Sequence, residues 1–555
     1  MASPEQFVVG IDLGTTYSAV AWALVSDPKN IEVLSDWPTS GQIVGVKVPT
    51  EISYADDGTV TWGYDINVKT RKIKWFKLGL EEAVEAQHLL QGKDPVHIAR
   101  DYLKELLKNV KNVLKKRYSQ AVIDAAKFEF VLTVPAIWSD IAKQRTQAAA
   151  FLAGLGTADA PLELLSEPES AALYSLKTID KVLETIKVGD RIVVCDAGGG
   201  TVDLISYDLQ QIDPYLKVVE CTQGTGDFCG SIFIDREFEK FFKSRIGENL
   251  YDKVPITHRQ QIVKEFEGCK QAFRDDAATK VFSIRMPNTI PDNPHMGIEG
   301  GVFELTREDM RGIFDPVIQM VLELIEDQIS MASVEGRVNM ILLVGGFGQS
   351  QYLYLKLSAW AKEFGIQVVQ PKESATAVVK GAVLKGIEKR SYTGHTKVVR
   401  RARRSYGVPS KAKFEKGKHL EKDAEYDRST GELLATNQVR WFIFANQLID
   451  DDDIFRYAFQ RTFETLTVWQ DSLVSSHLAN PPSHMTPDVQ KHCTVYSNLT
   501  HLKRTDFDRQ TRGRTVYYSA EYEIVLSLKN NNLNFSLLYR GTNYGVANIA
   551  FEEIK

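Results

Sequence analysis

The stretch FVVGIDLGTTYSAV, residues 7–20, decides the fold. It holds a short apolar run, Phe7–Asp12, which ends in an aspartate and is followed by a Gly/Thr turn and a second apolar run, Ala19–Val25. Two apolar runs around a tight turn predict a β-hairpin. This hairpin would carry Asp12 at the end of its first strand and two threonines beside the turn.

The same pattern returns in RIVVCDAGGGTVDLISY, residues 191–207. Here the apolar run ends at Asp196, the turn is Gly198–Gly200, and Val202–Tyr207 is the second strand. The chain therefore repeats strand, aspartate, glycine turn, threonine and strand. A repeat of such large units predicts two related lobes rather than a short solenoid period.

Both turns suit a nucleoside triphosphate. Glycine lets backbone N–H groups approach phosphate closely, and Mg²⁺ needs only a few carboxylates beside the phosphates. The candidate carboxylates are Asp12, Asp196 and Asp203, and the candidate hydroxyls are those of Thr15, Thr16 and Thr201. We expect the two hairpins to face each other and clamp the phosphates. A third glycine turn, Gly345–Gly348, is the candidate for the nucleoside end.

Composition narrows the class of protein. The chain has 555 residues and a net charge of −5, so its charge gives no general attraction to nucleic acid or anionic membranes. No apolar run approaches the roughly 20 residues of a membrane span. The five cysteines form no CxxC pair, which is typical of a reducing compartment. We expect a cytoplasmic protein without nucleic-acid or membrane partners.

The character of the chain changes near residue 386. The segment Lys397–Arg404 is strongly basic and is interpreted as a solvated linker face, with a nuclear targeting signal as the alternative. Residues Val516–Lys529 alternate between apolar and polar, which predicts a strand of a β-rich domain. The predicted organisation is lobe I at 1–188, lobe II at 189–387, a basic linker at 388–404 and a β-rich C-terminal domain at 405–555.

These residues resemble the actin-like ATPase superfamily and, within it, the heat-shock protein 70 (DnaK-like) family. The resemblance spans about residues 7–387 and is closest to the divergent, lid-less branch of that family. It implies an α/β fold with two actin-like (ribonuclease H-like) lobes and a C-terminal β-rich domain. The motifs that carry it are Gly10–Ser18, Val134–Trp138, Ser166–Ala172, Asp196–Asp203 and Val344–Gly346.

The resemblance also implies roles for particular residues. Asp12 and Asp196 would hold hydrated Mg²⁺, Asp203 would orient the attacking water, and Glu167 would line the phosphate site. Lys77 is the candidate catalytic lysine, with Lys74 as the alternative. The implied contacts to ATP or ADP are Gly14, Thr15, Thr16, Tyr17, Gly198, Gly199, Gly200, Thr201, Gly230, Glu267, Lys270, Gly345, Gly346 and Gln349.

Some positions depart from the family pattern. Gln349 and Gln271 stand where typical members place arginines around the adenine, and Ser231 replaces a glycine. A basic segment stands in place of the acidic, leucine-rich linker. These departures concern the adenine side and the connection between domains, whereas the phosphate motifs are intact.

Two functional hypotheses remain open. The first is a magnesium-dependent ATPase of heat-shock-70 type, chaperone-like, whose partners are unfolded polypeptide segments or a specific protein client. The second is an ATP-sensing interaction protein with weak or vestigial hydrolysis. A lysine near the γ-phosphate would favour the first. A sugar kinase on the same fold is disfavoured, since no sugar-binding signature is present, and no feature supports filament formation.

Overall fold

A computed structural model of the chain describes residues 4–39, 45–67, 70–81, 90, 92–157, 162–178, 186–276, 281–334, 336–389, 396–450, 452–529 and 532–547. The chain divides into two compact units, which we call unit 1 (Met1–Thr396) and unit 2 (Lys397–Lys555). None of the helices in the described ranges combines the length and the apolar character of a membrane span.

The first lobe of unit 1 is built on a sheet that contains the first hairpin. Its strands are β1 (Gln6–Asp12), β2 (Tyr17–Leu24), β3 (Asp27–Val33), β4 (Val48–Pro49), β5 (Glu51–Tyr54), β6 (Val60–Trp62), β7 (Ile73–Lys74), β8 (Lys127–Val134) and β9 (Glu163–Ser166). The main sheet has the order β3-β2-β1-β8-β9 with β4 beside β2, and β6-β5-β7 form a small sheet. The helices are α1 (Pro95–Tyr118), α2 (Gln120–Ala125), α3 (Asp140–Leu152) and α4 (Glu167–Thr178).

The second lobe of unit 1 is built on a sheet that contains the second hairpin. Its strands are β10 (Arg191–Ala197), β11 (Val202–Gln211), β12 (Lys217–Asp227), β13 (Val281–Arg285), β14 (Ile298–Glu299), β15 (Val302–Thr306), β16 (Val338–Val344) and β17 (Gln367–Val369). Within unit 1 the main sheet has the order β17-β16-β10-β11-β12, and β13-β15-β14 form a small sheet. The helices are α5 (Ile232–Ile246), α6 (Glu248–Lys253), α7 (Ile256–Ala272), α8 (Arg307–Ala332), α9 (Gln351–Glu363) and α10 (Ser374–Glu388).

The two lobes repeat one arrangement of strands. Strand β1 pairs antiparallel with β2 and parallel with β8, and β10 pairs antiparallel with β11 and parallel with β16. Each lobe buries its own apolar core. The repeat that the sequence predicted is therefore confirmed. In both lobes the strand that ends in the aspartate lies inside the sheet, so its end is held on both sides.

Helices α4 and α10 cross in close contact. Ser170 Oγ on α4 donates a hydrogen bond of 2.6 Å to the carbonyl oxygen of Val378 on α10. A Cβ on Gly381 would overlap the carbonyl oxygen of Ser170, so this crossing requires glycine at that position. Helix α10 also packs on β1, where a Cβ on Gly10 would lie 2.7 Å from Val379 O. The crossing ties the helix that begins at Glu167 to the first hairpin.

Unit 2 is β-rich. Its strands are β18 (Lys397–Arg401), β19 (Ser405–Lys413), β20 (Ala424–Tyr426), β21 (Leu433–Ile443), β22 (Leu448–Ile449), β23 (Ile454–Phe463), β24 (Trp469–Ser476), β25 (Gln490–Ser497), β26 (Asp508–Arg512), β27 (Thr515–Lys529), β28 (Asn532–Tyr539) and β29 (Thr542–Ala547). One sheet has the order β20-β21-β19-β24-β25, and another has the order β23-β27-β28-β29 with β26 beside β27. Their side chains share one apolar core.

The basic segment at the start of unit 2, Lys397–Arg404, differs from its prediction as a solvated linker. Residues Lys397–Arg401 form β18, which pairs antiparallel with Leu448–Ile449, and Arg400 is only 2% exposed. Unit 2 accordingly begins at Lys397 rather than at residue 405. The strand was not recognised from the basic composition, because its partner lies far along the chain.

An ion pair between a half-buried arginine and a buried carboxylate links the two sheets of unit 2. Arg461 on β23 donates a hydrogen bond of 2.7 Å to Asp471 Oδ1 on β24, and Tyr522 donates to the same oxygen at 3.2 Å. The Arg461 guanidinium also lies 4.9 Å from the centroid of the Trp469 ring. Burial raises the pKa of Asp471, while Arg461 opposes that shift. Arg461 therefore compensates a buried carboxylate.

Replacing Arg461 with methionine is expected to lower the free energy of unfolding of unit 2 by about 3 kcal/mol, because it leaves Asp471 buried and without its charged partner. Pulse proteolysis of the full chain in increasing urea, read at the unit 2 fragment, measures the change. The matched control is Arg456→Met on the same strand, since Arg456 is exposed and 4.0 Å from Glu523. Equal loss in both variants would contradict a special role for the Arg461–Asp471 pair.

Candidate nucleotide-binding site

The first hairpin presents Asp12 at the end of β1. Asp12 is opposite Ala19 on β2 and Thr133 on β8, and Thr133 Oγ1 donates to Asp12 Oδ1 at 3.4 Å. A Cβ on Gly14 would overlap the carbonyl oxygen of Tyr17, so the turn closes only around glycine. Asp12 is thus a fixed, buried carboxylate beside a tight turn.

The second hairpin presents two buried aspartates side by side. Asp196 on β10 is directly opposite Asp203 on β11, and the turn is closed by a 2.9 Å hydrogen bond from Gly198 N to Thr201 O. Thr201 is buried beside them. Asp203 Oδ1 accepts a hydrogen bond of 3.3 Å from the backbone N–H of Ile137, which comes from the first lobe.

The two glycine turns face each other in contact. A Cβ on Gly200 would lie 2.7 Å from Thr15 Oγ1, and one on Gly199 would overlap Thr16 Oγ1. A Cβ on Gly230 would lie 2.5 Å from the carbonyl oxygen of Gly199, so Gly230 supports the second turn from behind. The expectation that the hairpins face each other is confirmed. Side-chain hydroxyls and backbone groups of both lobes therefore converge on one point.

Four buried carboxylates surround that point. Burial raises the pKa of Asp196 well above its usual range, and the charges of Glu167, Asp12 and Asp203 raise it further. Burial likewise raises the pKa of Glu167 to about 7, although Lys77 opposes the shift. Burial also raises the pKa of Asp203. The site holds more negative charge than its own cations compensate, which favours binding of a further cation.

The donor set fits a hydrated divalent cation. Carboxylate oxygens are the ligands that Mg²⁺ takes in proteins, and it usually keeps several waters in its shell. Among the described residues, no three His, Cys, Asp or Glu side chains converge closely enough to bind an ion directly. Asp12 and Asp196 are the residues that would hold such an ion.

Lys77 is the lysine inside the site. Its Nζ donates to Glu167 Oε1 at 2.6 Å, its side chain is 3% exposed, and the Nζ lies 5.4 Å from the centroid of the Trp138 ring. Lys74, the alternative, instead pairs with Glu51 at 3.1 Å, and its side chain is 40% exposed. The geometry favours Lys77 over Lys74 as the cation of the phosphate site.

Sequence reasoning missed a second lysine, Lys47. Its Nζ lies 3.6 Å from Asp12 Oδ2. Nothing local marks it, because it stands alone in an uncharged stretch, and only the pairing of Val48 with Ser18 on β2 brings it to the first hairpin. Finding it required knowledge of that long-range pairing.

Two of the implied nucleotide contacts, Glu267 and Lys270 on α7, form a polar cluster with Asp235 on α5. Lys270 Nζ donates to Asp235 Oδ1 at 2.7 Å and lies 3.4 Å from Glu267 Oε2. Burial raises the pKa of Asp235 to about 6, against the opposing effect of Lys270. Burial also raises the pKa of the Tyr17 phenol, and the charge of Glu267 contributes. Tyr17 of the first lobe therefore lies near this cluster. The sequence analysis did not predict Asp235 as a member of it.

The third glycine turn follows β16 beside the second hairpin. Gly345 has a φ of +89°, and a Cβ there would overlap Asp196 Oδ1, so this glycine is required for both reasons. A Cβ on Gly346 would meet nothing within 4 Å. Gln349 ends a short 3₁₀ turn, Phe347–Gln349, and Gln271 Nε2 donates to Glu267 Oε1 at 3.2 Å. The turn thus packs directly against the Asp196 carboxylate.

Comparison with known protein families agrees with this geometry. The family model described as "Hsp70 protein" matches residues 64–392 of the 555, which is more than half of the chain. The chain belongs to the heat-shock protein 70 family. Unit 1 is therefore the actin-like, nucleotide-binding ATPase domain of an Hsp70 protein, and the predicted fold class is confirmed. Residues 400–547 match a domain of unknown function, DUF8568.

Two kinds of curated Hsp70 relatives resemble the chain over much of its length. Heat shock 70 kDa protein 12A of Homo sapiens is 24% identical over 93% of this chain and 88% of that protein, and its Mus musculus counterpart shows the same values. Heat shock 70 kDa protein 12B of Homo sapiens is 26% identical over 74% of this chain and 72% of that protein. The likeness to the 12A proteins extends into both units of this Hsp70 chain.

Proposed function

We propose that this Hsp70 protein is a magnesium-dependent ATPase that hydrolyses ATP to ADP and phosphate between the two hairpins. The observation that carries the proposal is the buried Lys77–Glu167 pair, 2.6 Å apart, beside two facing glycine turns. A switch that only senses ATP needs the turns. Hydrolysis requires, in addition, a positive charge beside the phosphates, and the buried lysine among the carboxylates would supply it.

Each group has a distinct part in this proposal. The backbone of the turns and the hydroxyls of Thr15, Thr16 and Thr201 hold the terminal phosphates. Lys77 leaves Glu167 to stabilise charge on the transferred phosphoryl group, and Asp203 orients the attacking water. A Mg²⁺ ion held by Asp12 and Asp196 would neutralise part of the phosphate charge. Positioning and electrostatics supply the catalysis, because phosphoryl transfer asks little covalent chemistry of the protein.

Replacing Lys77 with methionine is expected to slow single-turnover ATP hydrolysis by about 100-fold, because it removes a fixed positive charge from the transition state. The measurement is acid-quenched hydrolysis of radiolabelled ATP with protein in excess. Lys74→Met is the matched control and should hydrolyse ATP at close to the wild-type rate, since Lys74 pairs with Glu51.

A second comparison separates catalysis from folding. Lys77→Met leaves Glu167 buried without its partner, so the double variant Lys77→Met/Glu167→Gln should recover stability but not hydrolysis. A slow Lys74→Met enzyme beside an unaffected Lys77→Met enzyme would reverse the assignment of the two lysines.

The use of the hydrolysis energy is also a proposal. We propose that unit 2 binds unfolded polypeptide segments or a specific client, as a chaperone does. Supporting it, unit 2 exposes large apolar side chains among its described residues, including Phe444, Ile454, Leu478 and Tyr496. Single-turnover hydrolysis with and without a permanently unfolded polypeptide tests this. Stimulation supports a chaperone, whereas tight ATP binding without turnover in either condition favours the ATP-sensing alternative.

A further inference from the structure

Lys47 is held rigidly at its backbone beside the phosphate site. The strand that follows it, β4, pairs with β2 through Val48 and Ser18, and the Tyr64 hydroxyl donates to the Lys47 carbonyl oxygen at 3.0 Å. The Lys47 side chain is only 20% exposed. These contacts therefore hold the backbone of Lys47 beside the first hairpin.

The ammonium group of Lys47 is close to the carboxylates on the metal side. Its Nζ is 3.6 Å from Asp12 Oδ2, and its charge lowers the pKa of Asp196 on the other hairpin, against the larger effect of burial. Lys77, in contrast, pairs with Glu167, and its charge opposes the rise that burial causes in the pKa of Asp203. Lys77 thus acts on Glu167 and Asp203. Lys47 acts on the other pair of carboxylates, which would hold a hydrated metal ion.

We propose that Lys47 stands in for the divalent cation, so that the protein binds the phosphates of ADP or ATP without Mg²⁺. This rests on the proposed nucleotide site. Phosphates brought beside Asp12 and Asp196 meet two negative charges, and a cation between them is required. A lysine ammonium is a compact positive charge on a flexible stem and binds phosphate as a point charge. When Mg²⁺ is present, it takes the carboxylates, and Lys47 becomes dispensable for binding.

The alternative is an ion pair that only stabilises the lobe. A separation of 3.6 Å exceeds a hydrogen bond, so the two groups form only a loose ion pair. The two readings differ in one measurable quantity. A structural pair affects nucleotide affinity equally with and without Mg²⁺, whereas a stand-in cation matters only without it.

The test is the dissociation constant of fluorescent mant-ADP for the full chain, measured in excess Mg²⁺ and in EDTA. For Lys47→Gln, we expect affinity in EDTA to fall roughly tenfold or more, the effect of one well-placed charge, with much less change in Mg²⁺. Lys47→Arg should restore binding in EDTA. The matched control, Lys116→Gln, should behave as wild type, because Lys116 is a surface lysine paired with Asp36.

Equal losses in both conditions, or no loss in EDTA, would overturn the inference about Lys47. Failure of the wild-type chain to bind mant-ADP in either condition would instead overturn the proposed site. A second measurement needs no variant. ADP in EDTA should protect Lys47 from acetylation, read by mass spectrometry, more strongly than ADP in Mg²⁺ does, and equal protection in the two conditions would count against the proposal.

Discussion

Replacing Asp196 with asparagine is expected to reduce ATP hydrolysis by at least about 100-fold and, at the same time, to make nucleotide-free unit 1 more stable. Hydrolysis falls because one of the two metal-side carboxylates is lost, and such preorganised groups are worth about 100-fold to 1,000-fold each. Stability rises because burial and the charges of Glu167, Asp12 and Asp203 all oppose ionised Asp196. Removal of that buried charge is therefore expected to raise the free energy of unfolding of unit 1.

Opposite signs for activity and stability are the diagnostic result, because a merely structural aspartate would lose both. Single-turnover hydrolysis and urea unfolding of unit 1, both on the full chain, measure the two effects. Asp252→Asn is the control, since Asp252 is an exposed aspartate on α6 of the same lobe. Normal hydrolysis by Asp196→Asn would remove Asp196 from the metal side. A strongly destabilised Asp196→Asn protein would show that other groups compensate the charge of Asp196 in the nucleotide-free wild type.

Replacing Gly230 with alanine is expected to weaken nucleotide binding by about 100-fold or more. The new Cβ would lie 2.5 Å from Gly199 O and 2.7 Å from Gly200 C, and these are backbone atoms that cannot rotate away. Relief of the overlap must push the second turn toward Thr15 and Thr16, which already contact it. A displacement of about 1 Å in a phosphate-positioning element is enough to cost about 100-fold.

Equilibrium binding of mant-ADP in Mg²⁺ measures this effect. The matched control is Gly312→Ala on α8, where the new Cβ meets nothing within 4 Å; it should leave binding unchanged and stabilise the helix by up to about 1 kcal/mol. Unaltered binding by a folded Gly230→Ala protein would show that the second turn does not position the phosphates.

The sequence predicted those parts of the site that are local. Each hairpin lies within one continuous stretch, Gln6–Leu24 or Arg191–Gln211, so the strand, the aspartate and the turn could be read together at Asp12 and at Asp196. Their repetition predicted two lobes, and the pairing of β1 and β10 with their neighbours confirms it. Lys77, unlike Lys74, lies buried beside Glu167, and its choice as the catalytic lysine stays a prediction.

The parts that were missed depend on pairing between distant segments. Lys47 reaches Asp12 only because β4 adds to β2, and Asp235 becomes the partner of Lys270 only when α5 and α7 pack together. The segment at Arg400 looked like a solvated linker because its charges were visible in the sequence, while its strand partner, Leu448–Ile449, was not. Charge alone does not show whether a basic segment forms a strand of a sheet.

Single-turnover hydrolysis of ATP by the full chain, with protein in excess and in Mg²⁺ or EDTA, tests most directly whether the paired hairpins form a catalytic site. ATP should be converted to ADP and phosphate in Mg²⁺, and EDTA should stop the conversion while leaving nucleotide bound. ATP that stays bound and intact in Mg²⁺ until it dissociates would contradict hydrolysis and would leave the nucleotide as a ligand that the protein only senses.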